Sequence, residues 1–321
     1  MNPYASNPDD IPVTDLYADV PLYGRYFPRQ DDFQVDLQHA NSLSSVSLQY
    51  WESVVELCNE SVRIYPADEG GRDVFALGSV IVKSSHLHDT DNGQINEIDF
   101  SYADANEVQA IAIAKSVLKD VRVPEVFFAG KVRAPPSLSL ATLQRLTNLH
   151  LLKLNDRQVL VRERLPGIGM NVAWPYLSQG QREAFKQQSR EILRQLHAVK
   201  PTDGRQIRSH VVRDPNILSN GRIPALEGDI LFSSTNTDLD LAFMHNDFSD
   251  SNVIVDNDMI VGVIDWEMAG FFGWKTAGEV HRRIRTPQRE HFVNANLIEA
   301  RIEEIMHWND LYDNGAPELS E

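Results

Sequence analysis

The chain is poor in cysteine and in positive charge, and it has no long apolar run. Cys58 is the only cysteine among 321 residues, which excludes an intrachain disulfide and a cysteine-built metal cluster. Its neighbours follow a helical apolar pattern, so it reads as a buried residue and not as a nucleophile. Lysine and arginine number 30 against 46 aspartates and glutamates, a net charge of −16. That balance argues against a nucleic-acid partner, whose phosphates need a basic surface. It reads first as a device for solubility, and it is compatible with a cleft that attracts a cationic substrate. No segment approaches the roughly 20 consecutive apolar residues of a membrane span. The opening MNPYASNPDD has neither the basic start nor the apolar core of a signal peptide. The expectation is a cytoplasmic globular protein with no membrane partner and no obligate protein partner.

What is present supports two lobes of ordinary size. Residues 1–40 are rich in Asp, Pro and Tyr without periodicity and read as an N-terminal extension, partly disordered. From 47 to 58 Leu48, Trp51, Val54, Val55 and Cys58 recur at helical spacing, predicting a helix. A short strand at 61–65 leads to Pro66 and the pair Gly70-Gly71. This pair reads equally as a loop that brings backbone N–H groups to phosphate or as a plain hairpin turn. The apolar stretch 75–82 then ends in a single cation, Lys83. The polar segment 84–99 reads as an inserted loop, with His86 and His88 on the surface. A helix is expected over 104–118 with Val108, Ile111, Ala114 and Leu118 on one face. Its Glu107 can pair with Lys83, or with Asp104 as a capping box.

Strands are expected at 123–130, 151–154 and 159–161, the last two split by Asn155, Asp156 and Arg157. Ser178 and Gln181 make a capping box for a long helix whose buried stripe is Phe185, Ile192, Leu193 and Leu196. His197 at its end reads as a partner for terminal carbonyls. Residues 200–240 are irregular, 274–285 and 295–308 helical, and the tail from 309 acidic.

The richest stretch is 243–270. Apolar runs at 252–255 and 259–264 flank Asp256-Asn257-Asp258, a β-hairpin signal. His245, Asp247 and Asn252 stand at its start and Asp265 where the second run stops. Asp and Asn oxygens suit Mg²⁺ bound to a nucleotide phosphate. A carboxylate base, an Asn five residues on and an Asp ending the next strand form the layout of kinase-type phosphotransferases. His245 reads as a packed residue that fixes this loop by hydrogen bonding.

His245-Asn246-Asp247-Phe248-Ser249-Asp250-Ser251-Asn252 followed by Ile264-Asp265-Trp266 resembles the aminoglycoside phosphotransferase family, and Glu267-Met268-Ala269-Gly270 looks most like its fungal members. The stretch 123–130 and Glu163-Arg164-Leu165-Pro166-Gly167 resemble the family's strand before the hinge and its exit from the small lobe. The resemblance implies an α+β, two-lobed protein-kinase-like fold. Its small lobe would carry an antiparallel sheet plus a helix, and its large, mostly helical lobe the catalytic β-hairpin. The lobes would span 41–163 and 164–321. It implies an ATP- or GTP-dependent transfer to a hydroxyl, with Asp247 as base and Mg²⁺ on Asn252 and Asp265. Lys83, Glu107, Gly70, Gly71, Glu163, Arg164 and Leu165 would bind the nucleotide.

Three departures stand out. Asn246 replaces a glycine, and Asn is the best non-glycine residue for a left-handed backbone there. Asp250 replaces a common proline, and 271–283 lacks the family's usual acidic, glycine-rich sequence. The third points away from true aminoglycosides. Asp250, Glu267, Trp274 and Glu279 are the candidate acceptor contacts, suiting a small amine-bearing alcohol. The alternative is a nucleotide-binding pseudokinase that acts through a partner. No recognisable activation segment lies between Asp265 and an Ala-Pro-Glu sequence, which argues against a protein kinase.

Overall fold

Alternation along a few short strands decides which residues face the site. The computed structural model describes residues 4, 10–67, 71–87, 98–133, 156–202 and 207–313. Strand β1 (Arg25–Tyr26) is followed by helix α1 (Ser45–Glu56), β2 (Arg63–Tyr65), β3 (Asp73–Leu77) and β4 (Val80–Ser84). Helix α2 (Ser101–Val117), β5 (Val126–Arg133) and β6 (Asp156–Glu163) complete the first lobe. Its sheet is antiparallel with the order β2-β3-β4-β6-β5. Val80 and Val82 of β4, with Val159 and Val161 of β6, bury one face against Trp51, Val54 and Val55 of α1. Period two then turns Ile81, Lys83 and Arg162 to the opposite face. Register pairs Ile81 with Arg162 and Lys83 with Leu160.

The second lobe begins after β6. Strand β7 (Gly167–Gly169) precedes the long helix Gln179–His197, β8 (Ser209–His210), the helix Ala225–Phe232 and β9 (Ala242–Met244). Strands β10 (Val253–Asp256) and β11 (Met259–Val263) form a hairpin, followed by β12 (Gly270–Phe272) and the helices Trp274–Val280 and Glu299–Ile305. The hairpin turn is Asn257-Asp258, with φ of 46° and 63°. Two left-handed residues give a turn whose twist matches the strands, which is why Asn and Asp stand there. A four-stranded sheet joins the hairpin to the hinge side in the order β1-β7-β10-β11. Residues read as an N-terminal extension thus supply the edge strand of the sheet that holds the hairpin, with β7 between them. The architecture is α+β in two lobes, and among the described residues no helix is long and apolar enough to cross a membrane.

Several local expectations change. Helix α2 starts at Ser101, so Asp104 and Glu107 lie inside it and form no cap; Asp99 accepts the Ser101 N–H instead, at 2.9 Å. Val108 is on its exposed side, while Asp104 and Glu107 are buried. Asp156 and Arg157 belong to β6 and do not break it, and the expected strand 151–154 lies outside the described residues. His86 is buried and packs on Phe75, its Nε2 2.6 Å from the Cys58 carbonyl; His88 lies outside the described residues. The Ser178–Gln181 capping box forms as expected. His197 instead faces Asp240, at 3.3 Å, and the edge of Trp274.

Candidate active site

The loop after β9 is set by its own side chains. Asn246 has φ 59°, the left-handed conformation anticipated for it, and its amide donates to the Met268 carbonyl at 3.1 Å. His245 accepts the Asp247 N–H at Nδ1, at 3.2 Å, so its proton is on Nε2, 3.0 Å from the Ile264 carbonyl. Burial pushes this imidazole down to about 4, leaving it neutral and structural at neutral pH. Asn252 then donates its amide to the Asp247 carbonyl at 2.9 Å and to Oδ2 at 3.0 Å. The other carboxylate oxygen, Oδ1, takes Arg285 Nε at 3.1 Å. Arg285 also donates to the Asn246 carbonyl at 3.1 Å and pairs with buried Glu227. Burial pushes Asp247 up to about 6; Arg285 opposes that, and the charges of Asp265, Glu267 and Glu227 add to it.

Asp265 follows β11 in a left-handed conformation, φ 66°. The Ile264 N–H donates to the Asn252 carbonyl at 3.0 Å, which ties the two candidate metal ligands together through one peptide. Lys83 Nζ lies 2.5 Å from Asp265 Oδ1, 3.3 Å from Glu107 Oε2 and 3.5 Å from Glu267 Oε2. Glu107 gives its other oxygen to Arg162 at 2.5 Å, and Arg162 stands 3.7 Å from Asp265. Arg72 pairs with Asp104 at 2.7 Å, reaches Glu267 at 3.7 Å and lies over the Phe100 ring. Burial alone would raise Asp265, but Lys83 and Arg162 hold its carboxyl well below the usual range.

The donor set fits a hard divalent cation. Asn252 spends its amide nitrogen on Asp247, which leaves Oδ1, and Lys83 occupies only Oδ1 of Asp265. Among the described residues, Asn252 Oδ1 and Asp265 Oδ2 carry no hydrogen bond. Glu107, Asp265 and Glu267 each also offer an oxygen within 4.8 Å of the others'. Two ionised or amide oxygens beside further carboxylates are the chemistry Mg²⁺ takes.

These groups open on one cleft of about 420 Å³, walled by Lys83, Asp247, Asn252 and Asp265 at one end. Glu163, Arg164 and Leu165 line it as well. The Glu163 side chain pairs with Arg122 and accepts the Glu125 N–H at 3.2 Å. Gly71 stands between β2 and β3, but the residue of that loop on the cleft wall is Arg72; Gly70 lies outside the described residues.

The acceptor candidates do not come together. Glu267 lines the cleft among the cations at the Lys83 end. Asp250 opens the turn Asp250–Asn252, and burial raises it. Trp274 is a core residue: it is 5% exposed, packs on Tyr312 and donates to the Tyr312 carbonyl at 3.0 Å. Glu279 sits on an exposed helix face and pairs with Arg283 at 2.7 Å. A Trp at a helix start just after a Phe-Phe pair is a core signal, and an i,i+4 Glu–Arg pair a surface one.

Sequence reasoning missed Arg72, Arg162, Arg285 and the arm residues 22–26. Arg162 was within reach: once Val159 and Val161 face the core, period two puts it beside Lys83. Arg285 carries no local signal, because it meets Asp247 only through the packing of the 274–285 segment.

Helix α2 packs Ala110, Ile111 and Ala114, with Leu118 just past its end, into the core of the second lobe, and Asn106 adds a polar tie. Asn106 Nδ2 donates to the Glu267 and Ala269 carbonyls, both at 2.9 Å, and its Oδ1 accepts the Val212 N–H at 2.7 Å.

No curated protein matches the chain. Among solved structures it is similar to aminoglycoside phosphotransferase APH(2'')-IIa, determined as a ternary complex with streptomycin and ATP, at 15% identity over 87% of each chain and a TM-score of 0.43. It is similar to a macrolide 2'-phosphotransferase from Brachybacterium faecium, an apoenzyme, at 14% identity over 83% of this chain and 84% of that one, TM-score 0.38. It is also similar to a thermostable mutant of aminoglycoside phosphotransferase APH(4)-Ia with ADP and hygromycin B, at 14% identity over 84% and 91%, TM-score 0.38. A model described as the phosphotransferase enzyme family matches residues 105–271, just over half the chain. That range runs from α2 through the β10–β11 hairpin, and the chain belongs to the phosphotransferase enzyme family.

Proposed function

We propose that the protein moves the γ-phosphoryl group of ATP or GTP onto a hydroxyl of a small molecule. The observation that carries the reading is the meeting of Asp247, Asn252, Asp265 and Lys83 in one cleft, although 182 residues separate Lys83 from Asp265. Asp247 is the base. Its two oxygens are held by Asn252 and Arg285, so an acceptor hydroxyl meets a carboxylate of fixed orientation. The acceptor oxygen bonds to the γ-phosphorus as the bond from that phosphorus to the β-bridging oxygen breaks, and the hydroxyl proton passes to Asp247. Such a transition state needs alignment and charge neutralisation more than covalent help.

Lys83 supplies a cation for the non-bridging oxygens, and Glu107, itself held by Arg162, keeps the amine in place. Asn252 Oδ1 and Asp265 would hold magnesium, which would supply charge neutralisation at the phosphates. Asp265, kept ionised by Lys83 and Arg162, is ready for that role without deprotonation. In this reading 41–163 form the nucleotide-binding lobe, 164–321 the catalytic and acceptor lobe, and 1–40 an extension. The acceptor is an amine-bearing alcohol, in keeping with the acidic chain, and the place of action is the cytoplasm.

Calorimetric titration with ATP and GTP, with and without Mg²⁺, tests this on the wild type and Asp265→Asn. Magnesium-dependent binding is expected, weakened at least as much as the roughly 10–100-fold typical of losing a supporting metal-site partner. No binding of either nucleotide under any condition overturns the proposal. Binding without transfer to any hydroxyl or amino-alcohol panel favours the pseudokinase alternative.

A further inference from the structure

The cleft has a wall that the phosphotransfer residues do not explain. Leu22, Tyr23, Gly24, Arg25 and Tyr26 line it, on the same cavity as Ile81 and Leu165. This arm is built in. Arg25 and Tyr26 pair with Ile168 and Gly167, and the Gly169 N–H donates to the Gly24 carbonyl at 2.7 Å. Among the described residues Arg164, 9% exposed, forms no ion pair. Its Nη2 donates to the carbonyls of Leu22, at 2.7 Å, and Arg25, at 2.9 Å, and its guanidinium lies 4.5 Å from the centre of the Tyr26 ring. Arg25 forms a buried pair with Asp15 at 2.8 Å, and Tyr176 donates to the same carboxylate. Asn171 donates to the hydroxyls of Tyr17 and Tyr23, at 3.0 and 3.1 Å. Gly24 has φ +60°, and a Cβ there would stand 2.6 Å from Val172 Cγ2; only glycine fits.

This placement sets what the arm can touch. Once triphosphate oxygens lie against Lys83, the sugar and base fill the rest of the cavity. There Leu165, Ile81 and Ile254 offer apolar surface and Leu22 and Tyr23 close the side. We propose that residues 22–26 are a nucleotide-binding segment that covers the nucleoside part of the co-substrate, with Arg164 as the residue that positions it. The inference rests on the nucleotide-cleft reading above and adds to it an element from outside the two lobes. Arg164 thereby acts through its side chain on the arm, and the arm on the nucleotide.

Hydrogen exchange of the wild type, with and without saturating ATP·Mg²⁺ or GTP·Mg²⁺, reads the arm directly. Amides of residues 22–26 are expected to exchange more slowly with nucleotide bound. Calorimetry on Arg164→Met, which keeps the side-chain bulk and removes the donors, is expected to show nucleotide Kd raised about tenfold. Gly24→Val should do the same by unseating the arm. Phe27→Ser, at a position 69% exposed on the same arm, should bind as the wild type does. Should either variant fail to fold, the exchange experiment on the wild type still decides. Nucleotide binding with unchanged exchange over 22–26, or an Arg164→Met variant of wild-type affinity, overturns the arm's role and leaves the phosphotransferase reading standing. A wild type that binds neither nucleotide overturns both.

Discussion

Two aspartates of one cleft, Asp247 and Asp265, are treated by the protein in opposite ways. Both are desolvated, and desolvation alone would raise both. Asp265 has Lys83 against one oxygen and Arg162 behind it, and it stays ionised far below the usual range. Asp247 has one cation, Arg285, which it shares with Glu227 and the Asn246 carbonyl. Burial wins there, and its carboxyl sits at about 6. Environments that push two like groups apart assign them different work. The ionised one suits permanent contact with cation charge, and the raised one suits taking up a proton. The comparison also shows where each environment comes from: the small-lobe sheet for Asp265, and the far end of the large lobe for Asp247.

The largest break in that contrast is Asp247→Asn, which removes the proposed proton acceptor and keeps the shape. Phosphoryl transfer should fall about 10²–10⁴-fold in single-turnover assays, while nucleotide affinity stays within a few-fold of wild type. Equal loss of both would show that Asp247 belongs to binding and not to proton transfer. A smaller effect is expected from Arg285→Gln. Arg285 lowers Asp247 against its burial, so its loss should move the acid limb of the rate profile to higher pH, with activity at pH 6 suffering more than activity at pH 8. A uniform drop at all pH values would contradict this.

The smallest effect concerns stability and sharpens the role of burial. The desolvation that raises an acid lowers a base, and His281, whose Nε2 lies 2.8 Å from the Trp308 carbonyl, is pushed down to about 4. A histidine depressed in the folded state contributes stability that is present above pH 6.5 and lost as pH falls towards 4. The slope is about 1.4 kcal/mol per pH unit for one such group. His281→Gln, which cannot titrate, should therefore flatten the acid dependence of urea unfolding between pH 6.5 and 4. An unchanged slope would place the acid sensitivity elsewhere.

The hairpin was legible because its signals are local: β-branched runs, a turn of Asn and Asp, and the spacing from Asp247 to Asn252. The helix cap at Ser178 and the buried stripe after it were legible for the same reason. Lys83 and Glu107 meet as anticipated, yet α2 begins earlier than its polar first turn suggested, since Asp104 and Glu107 are drawn inward by Arg72, Lys83 and Arg162. Arg72, buried, and Arg285, half-buried, escaped because such arginines are recognised only by carboxylates far away in the chain. The arm escaped because its two-residue strand is too short to show alternation, and Arg164 holds it through backbone carbonyls, which have no side-chain signature. Trp274 was misread because its ring faces Tyr312, a contact 38 residues distant.

Asn106 has a consequence for control. One side chain on α2 takes hold of the chain on both sides of Met268 and of the strand near Val212. The helix that carries Glu107 therefore moves with the segment that carries Asp265, and the ion pair to Lys83 cannot be broken by swinging the helix out while the second lobe stays still. A protein arranged in this way has no detachable on–off lever at that position.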